Sequence, residues 1–179
     1  LKAGADDFIQ KPAKKIELLA KISSLLEIKE QENRKVERLT QFISPNVADV
    51  LVAGNGDKML APHRGHVTVM FIDLRGFTAF SEFAEPTEVL NVLNQYYLIV
   101  GQAALKYGGT IGHMAGDGIM IFFNAPRRIS GHQEVGVCLA IEIRRQLSFQ
   151  RELWKKNGYH IDFGIGLAEG HATIGVLGF

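Results

Sequence analysis

Two aspartates carry the most specific chemistry in this sequence. Asp73 closes the run VTVMFID (Val67 to Asp73), and Asp117 stands between Gly116 and Gly118, 44 residues later. The strand that ends in Asp73 is composed of residues that must be buried, and a buried carboxylate without a compensating charge is costly. Neither motif offers a basic residue except Arg75, so two such carboxylates brought together form a site for hard divalent cations such as Mg²⁺. Taken singly, Asp117 reads as a turn residue and Asp73 as the N-cap of a helix starting at Gly76 or Phe77. Between Leu74 and Ser81, the string RGFTAFS makes a strand-to-helix turn in which Gly76 lets the backbone come close to a ligand. Main-chain N–H groups at a helix start favour phosphate oxygens. Two metal-binding carboxylates beside a phosphate cradle are the components of two-metal chemistry at phosphorus, with a nucleoside triphosphate as the substrate class.

The surrounding elements must bring these residues together. His66 to Leu74 reads as a strand rich in β-branched and aromatic residues. Thr87 to Tyr107 reads as a helix with Val89, Val92, Leu93, Tyr96 and Val100 on its apolar face. Thr110 to Ala115 and Ile119 to Asn124 read as a hairpin around Gly116-Asp117-Gly118. Gln133 to Lys156 is a second helix, followed by Gly158 as its terminator. His160 to Leu167 and Ala172 to Leu177 read as two further strands. The order β-α-β-β-α-β, with one more strand, predicts an α+β domain: an antiparallel sheet with helices on one face, the ferredoxin-like arrangement. In that topology the first strand is central and pairs with the hairpin, so Asp73 and Asp117 are expected to meet at one end of the sheet.

FIDLRGFT (Phe71 to Thr78) and AGDGIMIFF (Ala115 to Phe123) resemble the two metal motifs of class III adenylyl/guanylyl cyclases, with the helix LNVLNQYY between them. The resemblance runs from about residue 42 to the end of the chain. It implies that Asp73 and Asp117 hold two Mg²⁺ (or Mn²⁺) ions, that Leu74 lends a backbone carbonyl, and that Gly76, Phe77 and Thr78 offer amides to the β- and γ-phosphates. It implies attack of the ribose 3′-oxygen of ATP or GTP, ATP favoured, on the α-phosphorus, giving a cyclic nucleotide and pyrophosphate. Four residues before the second aspartate the family commonly has lysine in adenylyl and glutamate in guanylyl enzymes, whereas this chain has His113. Imidazole can donate or accept, so His113 is a candidate base reader of open specificity; as a plain strand residue it would face the sheet's far side. The family's second purine-reading residue and its transition-state asparagine and arginine fall beyond Phe179, so the resemblance implies an incomplete site that is inactive alone. It also implies a head-to-tail homodimer.

The N-terminal part reads as a separate piece. Residues 1–28 read as a strand (Asp7 to Gln10), Lys11-Pro12 and an amphipathic helix with Ile16, Leu19, Ile22, Leu25 and Leu26 at spacings of three and four. Gly4-Ala5-Asp6-Asp7 and Lys11-Pro12 resemble the end of a response-regulator receiver domain, which implies an upstream histidine kinase and a phosphorelay. Glu27 to Arg38 holds eight charged residues of twelve, yet Ile22, Leu25, Val36, Leu39 and Ile43 keep an a/d register with Lys29 and Glu32. That register predicts a short parallel coiled coil ended by Ser44-Pro45. Pro45 opens a further helix with Val47, Val50 and Leu51, and Ala53 to Arg64 is a loop. The expected organisation is a receiver remnant (1–28), a linker helix and loop (29–62) and an incomplete cyclase domain (63–179).

Composition narrows the alternatives. With 20 Lys+Arg against 19 Asp+Glu, the chain has no field to hold a polyanion, so no nucleic-acid partner is expected. No apolar run approaches a membrane span and no signal peptide is present, so a cytoplasmic location is expected. The absence of an initiator methionine and the apolar ending VLGF suggest a piece of a longer protein. Cys138, the single cysteine, reads as a small buried hydrophobe, and Trp154 as packing. His63, His66, His132, His160 and His171 lack metal-ligand spacing. A catalytically silent dimerisation or nucleotide-sensing module is the main alternative. A palm-type diguanylate cyclase lacks its Gly-Gly-acidic-acidic-Phe string here, and a DNA-binding output lacks a recognition helix.

Overall fold

The computed structural model describes residues 15–40, 46–48 and 61–175. The chain divides into two units, Leu1–Phe42 and Ile43–Phe179. The expected strand Asp7 to Gln10, the Lys11-Pro12 turn, the Ser44-Pro45 break and the residues 49–60 lie outside the described residues. So does Ile43 of the heptad.

In the first unit, helix α1 runs unbroken over Lys15–Thr40. Its charged stretch is helical, as the heptad requires. Leu18, Leu19, Ile22, Leu25 and Leu26 are all exposed.

The second unit contains β1 (His63–Arg75), α2 (Phe77–Phe83), α3 (Pro86–Lys106), β2 (Thr110–Ala115), β3 (Gly118–Phe123), α4 (His132–Lys156) and β4 (Asp162–Ile174). The four strands lie in the order β2-β3-β1-β4, and every neighbouring pair is antiparallel. This is the α+β architecture expected from the element order. One expectation is corrected: the two strands placed at His160 to Leu167 and Ala172 to Leu177 are one strand of 13 residues, paired with β1 from His63↔Ile174 to Arg75↔Asp162. The residues AEGH do not turn, because alternation continues through them and each finds a ladder partner on β1. His63 and Arg64, read as loop, belong to β1 for the same reason.

The core is built on the alternate residues Met70, Ile72 and Leu74 of β1 and Ile119, Ile121 and Phe123 of β3, covered by α3 and α4. From α3 come Val92, Tyr96, Val100, Ala103 and Ala104; from α4 come Leu139, Ile143, Leu147 and Trp154. Each large aliphatic side chain removed from water here is worth roughly 1.5–3 kcal/mol. Trp154 is buried and its indole N–H donates to Gln95 Oε1 at 2.8 Å, which ties α4 to α3. Cys138 is exposed, a second correction: the buried face of α4 passes through 136, 139, 143 and 147, and position 138 points away from it. At the start of α3, Pro86 takes the first helical position and Glu85 and Glu88 form a reciprocal capping box.

Both long helices cover one face. On the other face, open among the described residues at the C-terminal end of β1, stand Phe71, which is 60% exposed, and Asp73, while Val67 farther back on the same face is buried.

Candidate active site

The ladder brings the two aspartates together as topology predicts. β1 and β3 pair through Ile72↔Ile119, so Asp73 is level with the hairpin turn that holds Asp117. The Asp73 and Asp117 carboxylates lie against each other, and burial together with the Asp73 carboxylate raises the Asp117 carboxyl above its ordinary range. Main-chain N–H groups of Asp117 itself and of Leu74 act in the opposite direction and lower it. Leu74 therefore touches the site through its backbone.

Asp73 itself is exposed, which corrects the expectation of a buried carboxylate. The strand alternates, so Ile72 and Leu74 enter the core while Asp73 faces out between them. What calls for a counter-charge is its proximity to Asp117. Asp73 is also not an N-cap: the residue that caps α2 is Gly76, in the left-handed region at φ 81°. There the chain turns sharply from β1 into α2, and a Cβ at Gly76 would stand 2.8 Å from the His160 carbonyl oxygen. Phe77 is buried and Thr78 exposed, at the end of β1 beyond Asp73.

His113 lies on the open face with Asp73. Between Ile111↔Ile121 and His113↔Met120 the β2–β3 ladder takes up one extra residue. This bulge at Gly112 carries His113 into step with Met120, whose other ladder neighbour is Phe71 of the open face. Without the bulge, His113 would share the core face with Ile111. A Cβ at Gly112 would meet the side chains of Met120 and Phe122 at under 3 Å, so any larger residue there would have to displace the Phe122 ring.

Two further residues touch this site: Tyr96, which the sequence places on the apolar face of its helix, and Tyr97, to which the sequence assigns no role. Tyr96 is fully buried, its hydroxyl has no hydrogen-bond partner, and burial and then the charges of Asp73 and Asp117 push it far above the ordinary tyrosine range. It stands in its neutral form beneath the carboxylate pair. Tyr97 donates its hydroxyl to the Gly116 carbonyl in the turn before Asp117. The signal was present in LNQYY: two aromatic residues with polar tips on a helix face read as purely apolar. We expect Tyr97→Phe to free the turn and weaken divalent-cation binding about fivefold, since a lost hydrogen bond costs about 1 kcal/mol. Mn²⁺ titration by calorimetry checks this.

Other histidines gather at the far end of the sheet. His132 Nδ1 bonds Thr68 Oγ1 at 2.8 Å, and the His66 ring lies 5.3 Å from that of His132 and 4.8 Å from that of His171. Among the described residues, no group of three or more His, Cys, Asp or Glu forms a metal cluster.

The domain is thus an antiparallel α+β sandwich with a carboxylate pair at the end of its central strands. Residues 59–179 match the family model of the adenylate and guanylate cyclase catalytic domain, and the chain belongs to that family. An adenylate cyclase from Anabaena cylindrica is 29% identical over 166 residues, covering 88% of this chain and 32% of that protein. The chain thus spans about a third of the length of that relative. The crystal structure of the adenylyl cyclase CyaB from P. aeruginosa is 33% identical with a TM-score of 0.63, over 67% of this chain and 63% of that one. That of the guanylyl cyclase Cya2 is 32% identical with a TM-score of 0.62, over 66% and 60%.

Proposed function

We propose that the protein containing this chain is a nucleotide cyclase that converts a nucleoside triphosphate, ATP in preference to GTP, to the 3′,5′-cyclic nucleotide and pyrophosphate. The observation that carries the reading is the convergence of Asp73 and Asp117, from separate motifs, at one end of the sheet. The donor set fits hard divalent cations: two carboxylates, the Leu74 backbone carbonyl and oxygens of the substrate, the usual surroundings of Mg²⁺. Two Mg²⁺ or Mn²⁺ ions, when bound, would lower the pKa of the 3′-hydroxyl and neutralise charge on the leaving pyrophosphate.

The chain's own residues supply position. Asp73 and Asp117 hold the cations, and Gly76, Phe77 and Thr78 turn main-chain amides toward the β- and γ-phosphates, Gly76 allowing the sharp left-handed turn that the His160 carbonyl would deny to any residue with a Cβ. His113, exposed on the same face, reads the purine edge of the nucleotide whose cations are held by the other copy of the chain. The 3′-oxygen loses its proton and bonds to the α-phosphorus as the bond to the pyrophosphate oxygen breaks. Because this site stands on an open sheet face, the base and transition-state groups come from a second copy, and α1 pairs the two copies through Leu18, Ile22 and Leu25. No helix among the described residues is long and apolar enough to cross a membrane, and the reading places the chain in the cytoplasm with its nucleotide.

The test is cyclic nucleotide formation by the complete protein from ATP and from GTP with Mg²⁺ or Mn²⁺. Product from ATP exceeding that from GTP is expected, with the preference altered by His113→Glu. No product from either nucleotide by a dimer that binds metal-nucleotide would replace this reading with a catalytically silent sensing or dimerisation module. We further infer that phosphorylation by an upstream histidine kinase changes the pairing of α1 helices, a bistable element of the kind that phosphoryl switches bias. Cysteine crosslinking along residues 22–39 of the complete protein should change on phosphorylation, and an unchanged pattern removes the kinase from the scheme.

A further inference from the structure

Arg75 is the last residue of β1 and shares the open face with Asp73, two residues earlier. Across the β1–β4 ladder, Arg75 stands opposite Asp162 and Asp73 opposite Gly164. The arginine does not pair with its own cross-strand neighbour, since Asp162 is engaged by Arg151 at 3.4 Å. Its side chain instead folds back along the sheet. Nε and Nη2 lie 3.3 and 3.4 Å from where a β-carbon at Gly164 would stand. A larger residue at 164 would compete for that space, so glycine leaves a seat for the guanidinium.

The seat fixes where the positive charge rests. Directly opposed residues in an antiparallel pair lie about 5 Å apart, so a group resting on Gly164 is in the same row as Asp73. Across the sheet the row reads Asp117, Asp73, Arg75 head group. Among the described residues, Arg75 makes no hydrogen bond and no ion pair. It is exposed, and its donors are free for a ligand. A guanidinium is planar, always charged and shaped to bond two oxygens of one phosphate at once.

We propose that Arg75, seated on Gly164, binds the pyrophosphate portion of the nucleoside triphosphate held at Asp73 and Asp117. The proposal rests on the cyclase reading and adds to it the residue that receives the leaving group. The division of labour is physical: cations between the carboxylates and the phosphates offset charge near the reacting phosphorus, and the arginine takes the oxygens on the far side of Asp73. Gly164 acts through Arg75 and is a positioning residue.

Direct binding of inorganic pyrophosphate to the full chain, in excess Mg²⁺ and measured by calorimetry, tests this without turnover. Arg75→Ala should weaken binding about tenfold to a hundredfold, the worth of a charge-assisted pair of hydrogen bonds, and Arg75→Lys should recover only part of it. Gly164→Val keeps the arginine but fills its seat, and valine suits a strand. It should weaken pyrophosphate binding by a similar factor, and Arg75→Ala added to it should do little more. Arg144→Ala, an exposed arginine on α4, should bind as the parent does. Unaltered thermal midpoints separate these effects from unfolding. Parental pyrophosphate affinity in Arg75→Ala overturns the proposal, and so does parental affinity in Gly164→Val. If the complete protein makes cyclic nucleotide while Arg75→Ala leaves both its KM and the pyrophosphate affinity unchanged, Arg75 falls and the cyclase reading stands. If the arginine variants lose pyrophosphate but the complete protein makes no cyclic nucleotide, the anion site stands and the cyclase reading falls.

Discussion

On the cyclase reading, replacing Asp117 with asparagine in the complete protein should lower cyclic nucleotide formation by about three orders of magnitude, because a metal clamp held there would supply several kcal/mol of transition-state stabilisation. Asp73→Asn should do the same, and a chelator should reproduce both losses in the parent. Stability should move the other way. Burial and the Asp73 carboxylate raise the Asp117 carboxyl, which means that its charged form is disfavoured in the fold. An uncharged isostere at either position removes that repulsion, so the thermal midpoint in metal-free buffer should rise. Added Mn²⁺ should then stabilise the parent but neither variant. This pairing of lost activity with gained stability separates a ligand pair from two ordinary surface aspartates, whose replacement would leave both quantities near their starting values.

The second large effect is expected at Gly76. It holds φ 81°, and a Cβ there would meet the backbone oxygen of His160 at 2.8 Å. Backbone cannot step aside as the end of a side chain can. Gly76→Val adds left-handed strain for a β-branched residue to that collision, and should cost about 3 kcal/mol in denaturant unfolding. Activity should fall by more than stability explains, about a hundredfold at temperatures where the variant is folded, because the turn that presents Phe77 and Thr78 is displaced relative to Asp73. Gly101 is the contrast. It sits inside α3 with nothing within 4 Å of an added Cβ, and Gly101→Ala should stabilise by up to about 1 kcal/mol. A Gly76 variant as stable and active as the Gly101 variant would show that the turn has no special geometry.

Much of this protein is decided locally and can be read from its sequence. The element order and the alternation in VTVMFID and GIMIFF specify a central strand beside a hairpin, and that topology alone places Asp73 near Asp117. Periodicity marks the inner faces of α3 and α4. Chain-local patterns could not decide which face a residue takes where the ladder is irregular. His113 is on the open face only because one extra residue at Gly112 changes the phase of β2, and a bulge depends on the partner strand. Asp73 is legible as a candidate ligand but not as an exposed residue, since burial of the odd positions depends on which face the helices cover. The single β4 strand emerged from pairing with all of β1, where AEGH taken alone resembles a turn. Tyr97, and Arg75 with its seat on Gly164, belong to the tertiary structure for the same reason. A hydroxyl finds a carbonyl 19 residues away, and a guanidinium finds a missing side chain on the neighbouring strand, through space that no sequence spacing records.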